Sequence, residues 1–172
     1  MNKLDEKALN ELVAKVVSSL MSDESNSNKV AIGADHGGFQ QKQFLLNFLE
    51  ESGYAVIDCG TYSTESVDYP DFAKKVAEFV VSGQAWLGII IDGAGIGSCM
   101  AANKVKGARA ANCWNQATAN NAREHNNANI LSLGSGMLGN ALASKIVLTF
   151  LETEFAGGRH AKRVEKIMEI EK

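Results

Sequence analysis

Residues 87–104, LGIIIDGAGIGSCMAANK, constrain the fold more than any other stretch of this chain. The run Leu87-Gly88-Ile89-Ile90-Ile91 has no polar alternation, the pattern of a strand covered on both faces. It stops at Asp92 and gives way to Gly93, Gly95 and Gly97, so a buried strand delivers a carboxylate onto a glycine-rich turn. Ser98 to Ala102 then suit the first turns of a helix whose free N–H groups point back at that turn. In an open parallel sheet, the carboxyl end of such a strand is where small ligands are held. The turn fits neither the Walker pattern nor a strict G-x-G-x-x-G, and glycine turns also serve only to join strand to helix. Asp92 tips the balance toward function, because an acid directly after apolar residues is costly to bury unless something pairs or uses it.

The rest of the chain repeats the strand-then-helix pattern. Strands are expected at 30–34, 54–58, 87–91, 108–112 and 130–133, and helices at 39–51, 71–82, 116–124, 138–151 and 160–170. Repeated βα units imply an α/β fold: a three-layer, doubly wound parallel sheet of Rossmann or flavodoxin-like character. With 172 residues there is room for one full domain, placed at residues 29–172. Ahead of it, Leu4, Ala8, Leu12, Val16 and Leu20 recur four apart, so residues 4–21 read as an appended N-terminal amphipathic helix. Ser22 to Asn28 contains no apolar residue and reads as a linker, making residues 1–28 a separate unit.

Composition narrows the function. A net charge of −3 with no long basic run argues against nucleic acid as a partner. No apolar stretch is long enough to span a bilayer and the N-terminus is acidic and polar, so no membrane association and a cytoplasmic location are expected. Cys59, Cys99 and Cys113 show no metal-binding spacing, and their odd number argues against a disulfide framework. They read as reduced, structural thiols.

Residues just after parallel strands converge on one edge of the sheet. Here they are Asp35, His36, Gly37 and Gly38 after the first strand, Asp58, Gly60 and Thr61 after the second, and Asp92 with its loop after the third. His125 ends the helix after the fourth strand, and with His36 it is placed to meet Asp92. Arg159 and Arg163, four apart in a glycine-opened segment, share a helix face. Singly, each has a structural explanation: Asp35 as a helix cap, the arginines as a solvated face, either histidine as a hydrogen-bonded support. Together, a carboxylate, two histidines, an amide nest and paired arginines are the parts that bind a phosphorylated small molecule and move its protons.

Taken in order, Ala34-Asp35-His36-Gly37-Gly38, Asp58-Cys59-Gly60-Thr61, Asp68-Tyr69-Pro70, the 93–97 glycine loop with Ala101-Ala102-Asn103-Lys104, Arg123-Glu124-His125-Asn126, and Gly157-Gly158-Arg159-His160 with Arg163 resemble the type B ribose-5-phosphate isomerases and galactose-6-phosphate isomerase subunits. The resemblance covers about residues 29–167 and leaves out the N-terminal helix. It implies an aldose–ketose isomerase of a sugar phosphate, with ribose 5-phosphate and ribulose 5-phosphate as the expected pair, working through an enediol with no cofactor and no metal. It implies Asp92 and His125 as catalytic groups. Asp92 stands where the family carries a cysteine base, and its pKa is expected to be raised by the apolar strand while the loop amides of Gly93, Gly95 and Gly97 hold the enediolate. His125 resembles the residue that assists ring opening, with Asn126 beside it; Asp35 resembles a hydroxyl ligand, and His36, Arg159 and Arg163 resemble phosphate ligands.

Three departures stand out. Ser98 occupies the position of a glutamate that some relatives use as base, Ala94 replaces a loop hydroxyl, and Gly136 replaces an arginine whose charge-assisted contact is worth about 1.5–3 kcal/mol. They leave open a six-carbon or deoxy sugar phosphate, or a sugar-phosphate binding protein without activity. The resemblance further implies a homodimer or dimer of dimers with sites shared between chains. The helix and linker resemble peptides that direct enzymes to bacterial microcompartment shells, which implies a shell contact through residues 1–21.

Overall fold

The strand Leu87–Asp92 (β3) is at the centre of the sheet, which is why every one of its six residues is buried. The computed structural model describes residues 28–171 together with Val13. The expected N-terminal helix, its linker and its docking role fall outside the described residues, apart from Val13, which is helical, and Asn28 at the end of the linker.

The other elements, in chain order, are β1 (Lys29–Ala34), α1 (Phe39–Glu51), β2 (Ala55–Asp58), α2 (Tyr69–Val81), then after β3 α3 (Ile96–Ala102), β4 (Ala110–Asn112), α4 (Gln116–Glu124), β5 (Ile130–Gly134), α5 (Asn140–Glu152), a 3-10 turn at Gly158–His160 and α6 (Ala161–Glu169). The sheet order is β2-β1-β3-β5-β4 and all its pairs are parallel, so the doubly wound architecture expected from the sequence is the one observed. Element ends differ by one or two residues for local reasons. Pro70 is tolerated in the first turn because its missing N–H has no partner there, so α2 starts at Tyr69 and not at residue 71.

Alternation along the strands builds two cores. Leu87, Ile89 and Ile91 join Leu45, Leu49, Ile146, Val147 and Phe150 on the face covered by α1, α4 and α5. Ile90 joins Ala31, Val76, Ala77 and Val80 on the α2 face. Each buried Ile or Leu contributes about 1.5–3 kcal/mol. On the β4 edge, the side chain of Asn103 acts as a strand partner: its Oδ1 accepts from Ala110 N at 2.8 Å and its Nδ2 donates to Ala110 O at 2.9 Å. That pairing closes an edge which would otherwise offer open backbone groups to another chain.

Candidate active site

β1 and β3 are neighbours, and their ends bring Asp35 and Asp92 to the carboxyl edge of the sheet. The register pairs Ala34 with Ile91, and Asp35 N donates to Ile91 O at 3.2 Å. From β5, Ser135 N donates to Asp92 O at 2.8 Å, and the Ser135 hydroxyl donates to Gly37 O at 2.9 Å and lies 3.1 Å from Asp92 O. Ser135 therefore fastens the loop after β1 to the loop after β3. Nothing in the sequence patterning had singled it out, because a serine in a Gly-Ser-Gly turn reads as connection only.

The glycine loop is organised from within. Asp92 is 5 % exposed; its Oδ1 accepts from Ala94 N at 2.8 Å and from Gly95 N, and its Oδ2 accepts from Ser98 N at 2.9 Å. Gly95 has φ +76, and a Cβ there would overlap the Asn112 amide and come within 2.8 Å of the Leu133 carbonyl carbon, so only glycine fits. Burial alone would push the Asp92 carboxyl up. The hydrogen bonds from the Ser98 hydroxyl and from the Ser98, Gly95 and Ala94 amides outweigh burial, and the net shift is downward.

This corrects two expectations. The apolar strand does not leave Asp92 with a raised pKa. Nor are the amides of Ala94, Gly95 and Ser98 free for a ligand, since Asp92 itself is the anion in their nest. Gly93 and Gly97 remain beside the loop without that engagement: a Cβ on Gly93 would meet nothing within 4 Å, while one on Gly97 would strike the Tyr69 ring.

Asp35 is less engaged. Its Oδ1 accepts from Gly38 N at 2.9 Å, the one hydrogen bond of its carboxylate among the described residues. His36, exposed beside it, has Nδ1 at 3.2 Å from both the amide nitrogen and the carbonyl oxygen of Val67. A cavity of about 790 Å³ borders Gly37, Gln41, Ser135 and Gly136, on the side where the resemblance puts an arginine. Asp58, counted among the strand-end acids, turns away to Lys42, whose Nζ lies 2.6 and 2.7 Å from its two oxygens. That ion pair was not visible in the sequence, where Lys42 looked like any polar helix residue.

His125 is not at this edge. α4 leaves the carboxyl end of β4 and runs back against the strands, its nine residues spanning about 13.5 Å at 1.5 Å per residue. His125 follows it and the chain re-enters the sheet at Ile130, so His125 sits at the amino edge, opposite Asp92. The expectation that it meets Asp92 within one chain is thereby corrected: between parallel strands every helix must run back to the amino edge before the next strand can start in the same direction.

His125 has its own company there. Its ring stacks on His160, with centroids 4.3 Å apart and planes 4° apart. Asn121 Nδ2 is 2.8 Å from its Nδ1, and Asn126 Nδ2 donates to Asn121 Oδ1 at 3.2 Å. Arg159 Nε lies 3.4 Å from His160 Nε2, and Arg163 follows on α6; both guanidinium groups are exposed. His160 is shifted below the ordinary histidine range by lost hydration first and then by the charges of His125, Arg159 and Arg163. Two guanidinium groups beside two imidazole rings give this end a set of donors suited to an anion. Ala156 N donating to Glu124 O at 3.0 Å ties the segment that carries the arginines to the end of α4.

None of the three thiols hydrogen-bonds a side chain of Asp35, Asp92, His125 or His160, although the Asp92 charge reaches Cys99. Cys59 and Cys113 are buried and pushed up to about 11 by lost hydration, and Cys99, raised for the same reason, lies 3.4 Å from Ala110 O. A thiol is the nucleophilic species only as thiolate, so these serve packing.

A profile of the Ribose/Galactose Isomerase family matches residues 30–167. The chain belongs to that family. Ribose-5-phosphate isomerase B of Escherichia coli is 45% identical over 143 residues, covering 83% of this chain and 96% of that one. A putative sugar phosphate isomerase of Rickettsia conorii is 44% identical over 138 residues, 80% of this chain and 96% of that protein. Among solved structures, ribose-5-phosphate isomerase B of Clostridium thermocellum superposes with a TM-score of 0.82 at 57% identity, covering 83% of this chain and 97% of the other. The type B ribose 5-phosphate isomerase of Trypanosoma brucei gives 0.81 at 45%, covering 83% and 98%. The matched residues 30–167 span the sheet from Val30 onward and both polar clusters. Among the described residues of this family member, no three His, Cys, Asp or Glu side chains converge as metal ligands would, and no helix is long and apolar enough to cross a membrane.

Proposed function

We propose that this protein interconverts an aldose phosphate and its ketose by proton transfer through an enediol, with ribose 5-phosphate and ribulose 5-phosphate as the pair. The observation that carries this reading is the pairing of two unlike polar ends in one chain of this family. One end offers carboxylates and backbone amides, suited to a carbonyl and its neighbouring C–H; the other offers histidines and arginines, suited to a phosphate. The test is a panel of five- and six-carbon aldose and ketose phosphates offered to the purified protein. Turnover of the ribose 5-phosphate pair above all others is expected; turnover of a six-carbon or deoxy sugar phosphate instead would move the reading to that substrate, and binding without turnover would end it.

The two ends lie on opposite edges of the same sheet, too far apart to hold one small sugar phosphate between them. The active form is accordingly a homo-oligomer in which Asp35, His36 and the glycine loop of one chain face His125, Asn126, Arg159 and Arg163 of another. Ile96, Met100, Trp114 and Met137 leave apolar surface around the carboxyl edge, suited to such a contact. Asp35→Ala and Arg159→Ala should each be inactive alone. Subunits of the two variants mixed and re-equilibrated should regain roughly a quarter of the wild-type rate, because half of the dimers are then mixed and each carries one intact site. A monomeric mass with no recovery would count against shared sites.

A further inference from the structure

The geometry points to Asp35, not Asp92, as the carboxylate that takes the proton from the substrate carbon, with the Gly93 N–H facing the oxygen on which charge develops. This inference rests on the isomerase reading. Four observations carry it.

First, Asp92 is already spent. Its two oxygens accept from three backbone amides. Second, Asp35, buried like Asp92 at 8 % exposed, holds a single hydrogen bond through Oδ1, while Oδ2 has no partner among the described residues and is not sealed from solvent. A carboxylate with one oxygen anchored and the other open is fixed in direction and still free to accept.

Third, Gly93 N–H is also without a partner among the described residues. Its direction follows from the peptide plane: Asp92 C=O points toward β5, where it accepts from Ser135 N, so in the trans peptide the Gly93 N–H points the other way, toward β1 and Asp35. Fourth, the two groups border one space. The position a Cβ would take on Gly37 lies 3.4 and 3.9 Å from the Asp35 oxygens and 3.8 Å from Gly93 N, and nothing stands within 4 Å of the corresponding position on Gly93. Gly37 and Gly93 keep that space open on both sides.

The step balances with these two groups and the sugar alone. Asp35 Oδ2 takes the hydrogen from C2 of the open-chain aldose as a proton; the C2–H electron pair forms the C1–C2 double bond, and the carbonyl pair moves onto O1, which the Gly93 N–H stabilises. The hydroxyl proton passes from O2 to O1, and the Asp35 carboxylic acid returns its proton to C1, giving the ketose. Cooperation of one fixed base and one amide donor is the arrangement such enolisations need.

Asp35→Asn tests this, because the asparagine oxygen preserves the acceptor for Gly38 N and so the start of α1. In the full-length oligomer, the variant should keep its melting transition and substrate KM while kcat and the wash-in of solvent deuterium fall about 10²–10⁴-fold. Asp35→Glu should recover part of the exchange. Asp35→Asn exchanging deuterium at the wild-type rate, with a folded Asp92→Asn protein losing it, would overturn the assignment and leave the isomerase reading standing. A wild-type protein that neither turns over nor exchanges any sugar phosphate would overturn both.

Discussion

Asp92→Asn is expected to lower the stability of the protein by about 3 kcal/mol, the upper end for losing a charge-assisted hydrogen bond. The carboxylate serves Ala94, Gly95 and Ser98 at once, and a carboxamide must turn one of its own N–H groups against those donors. At this chain length that loss corresponds to a fall in Tm of roughly 6–12 °C. Its pH dependence has a definite sign. Because the folded state holds the Asp92 carboxyl below the ordinary carboxylate value, its stabilisation is complete above about pH 4 and disappears as pH falls through the lower folded value. Thermal melts between pH 7 and pH 2 should therefore show wild type and Asp92→Asn converging in acid. A difference that stayed constant to pH 2 would mean that the charge on Asp92 is not what holds the loop.

Asp58→Ala is expected to cost about 3–5 kcal/mol, the range for removing one member of a buried ion pair. The Lys42 side chain is 0 % exposed and that of Asp58 28 % exposed, and among the described residues the Phe39 and Tyr62 rings lie 5.9 and 5.4 Å from the ammonium. Without the carboxylate the buried Lys42 ammonium is left without its ion-pair partner, and the Gly60 N–H loses its 2.9 Å acceptor. The double variant Lys42→Met with Asp58→Ala removes the charge as well and should recover most of the loss, since well-packed apolar groups replace buried ion pairs at little cost. Urea unfolding of the three proteins measures this directly. A double variant no more stable than Asp58→Ala would show that the damage comes from Gly60 and its turn.

How far the sequence could be read depended on distance along the chain. Strands showed themselves through runs such as Leu87 to Ile91, helices through spacings such as Val76, Ala77 and Val80, and the glycine loop through its own residues, because all of these are set by neighbours within one or two turns. The resemblance to the isomerases drew on the same local words, and the family match over residues 30–167 agrees with it. What local words lack is direction. Asp92 was legible as a carboxylate at a strand end, but nothing in its sequence says that both oxygens fold back onto amides two to six residues later. Ser135 and Lys42 passed unremarked for a related reason: their partners are 43 and 16 residues away, and only the packed sheet supplies them.

The amino-acid sequence by itself determined that this would be a parallel α/β sheet with a polar, glycine-rich edge, since hydrophobic period and turn chemistry act within a few residues and leave few topologies open. Only the tertiary structure decided which polar groups are spent and which are free. The return of each helix between parallel strands sends His125 to the edge opposite Asp92, and the trans peptide after Asp92 turns the Gly93 N–H away from β5 toward β1, relations fixed by three-dimensional closure and written in no single stretch of chain.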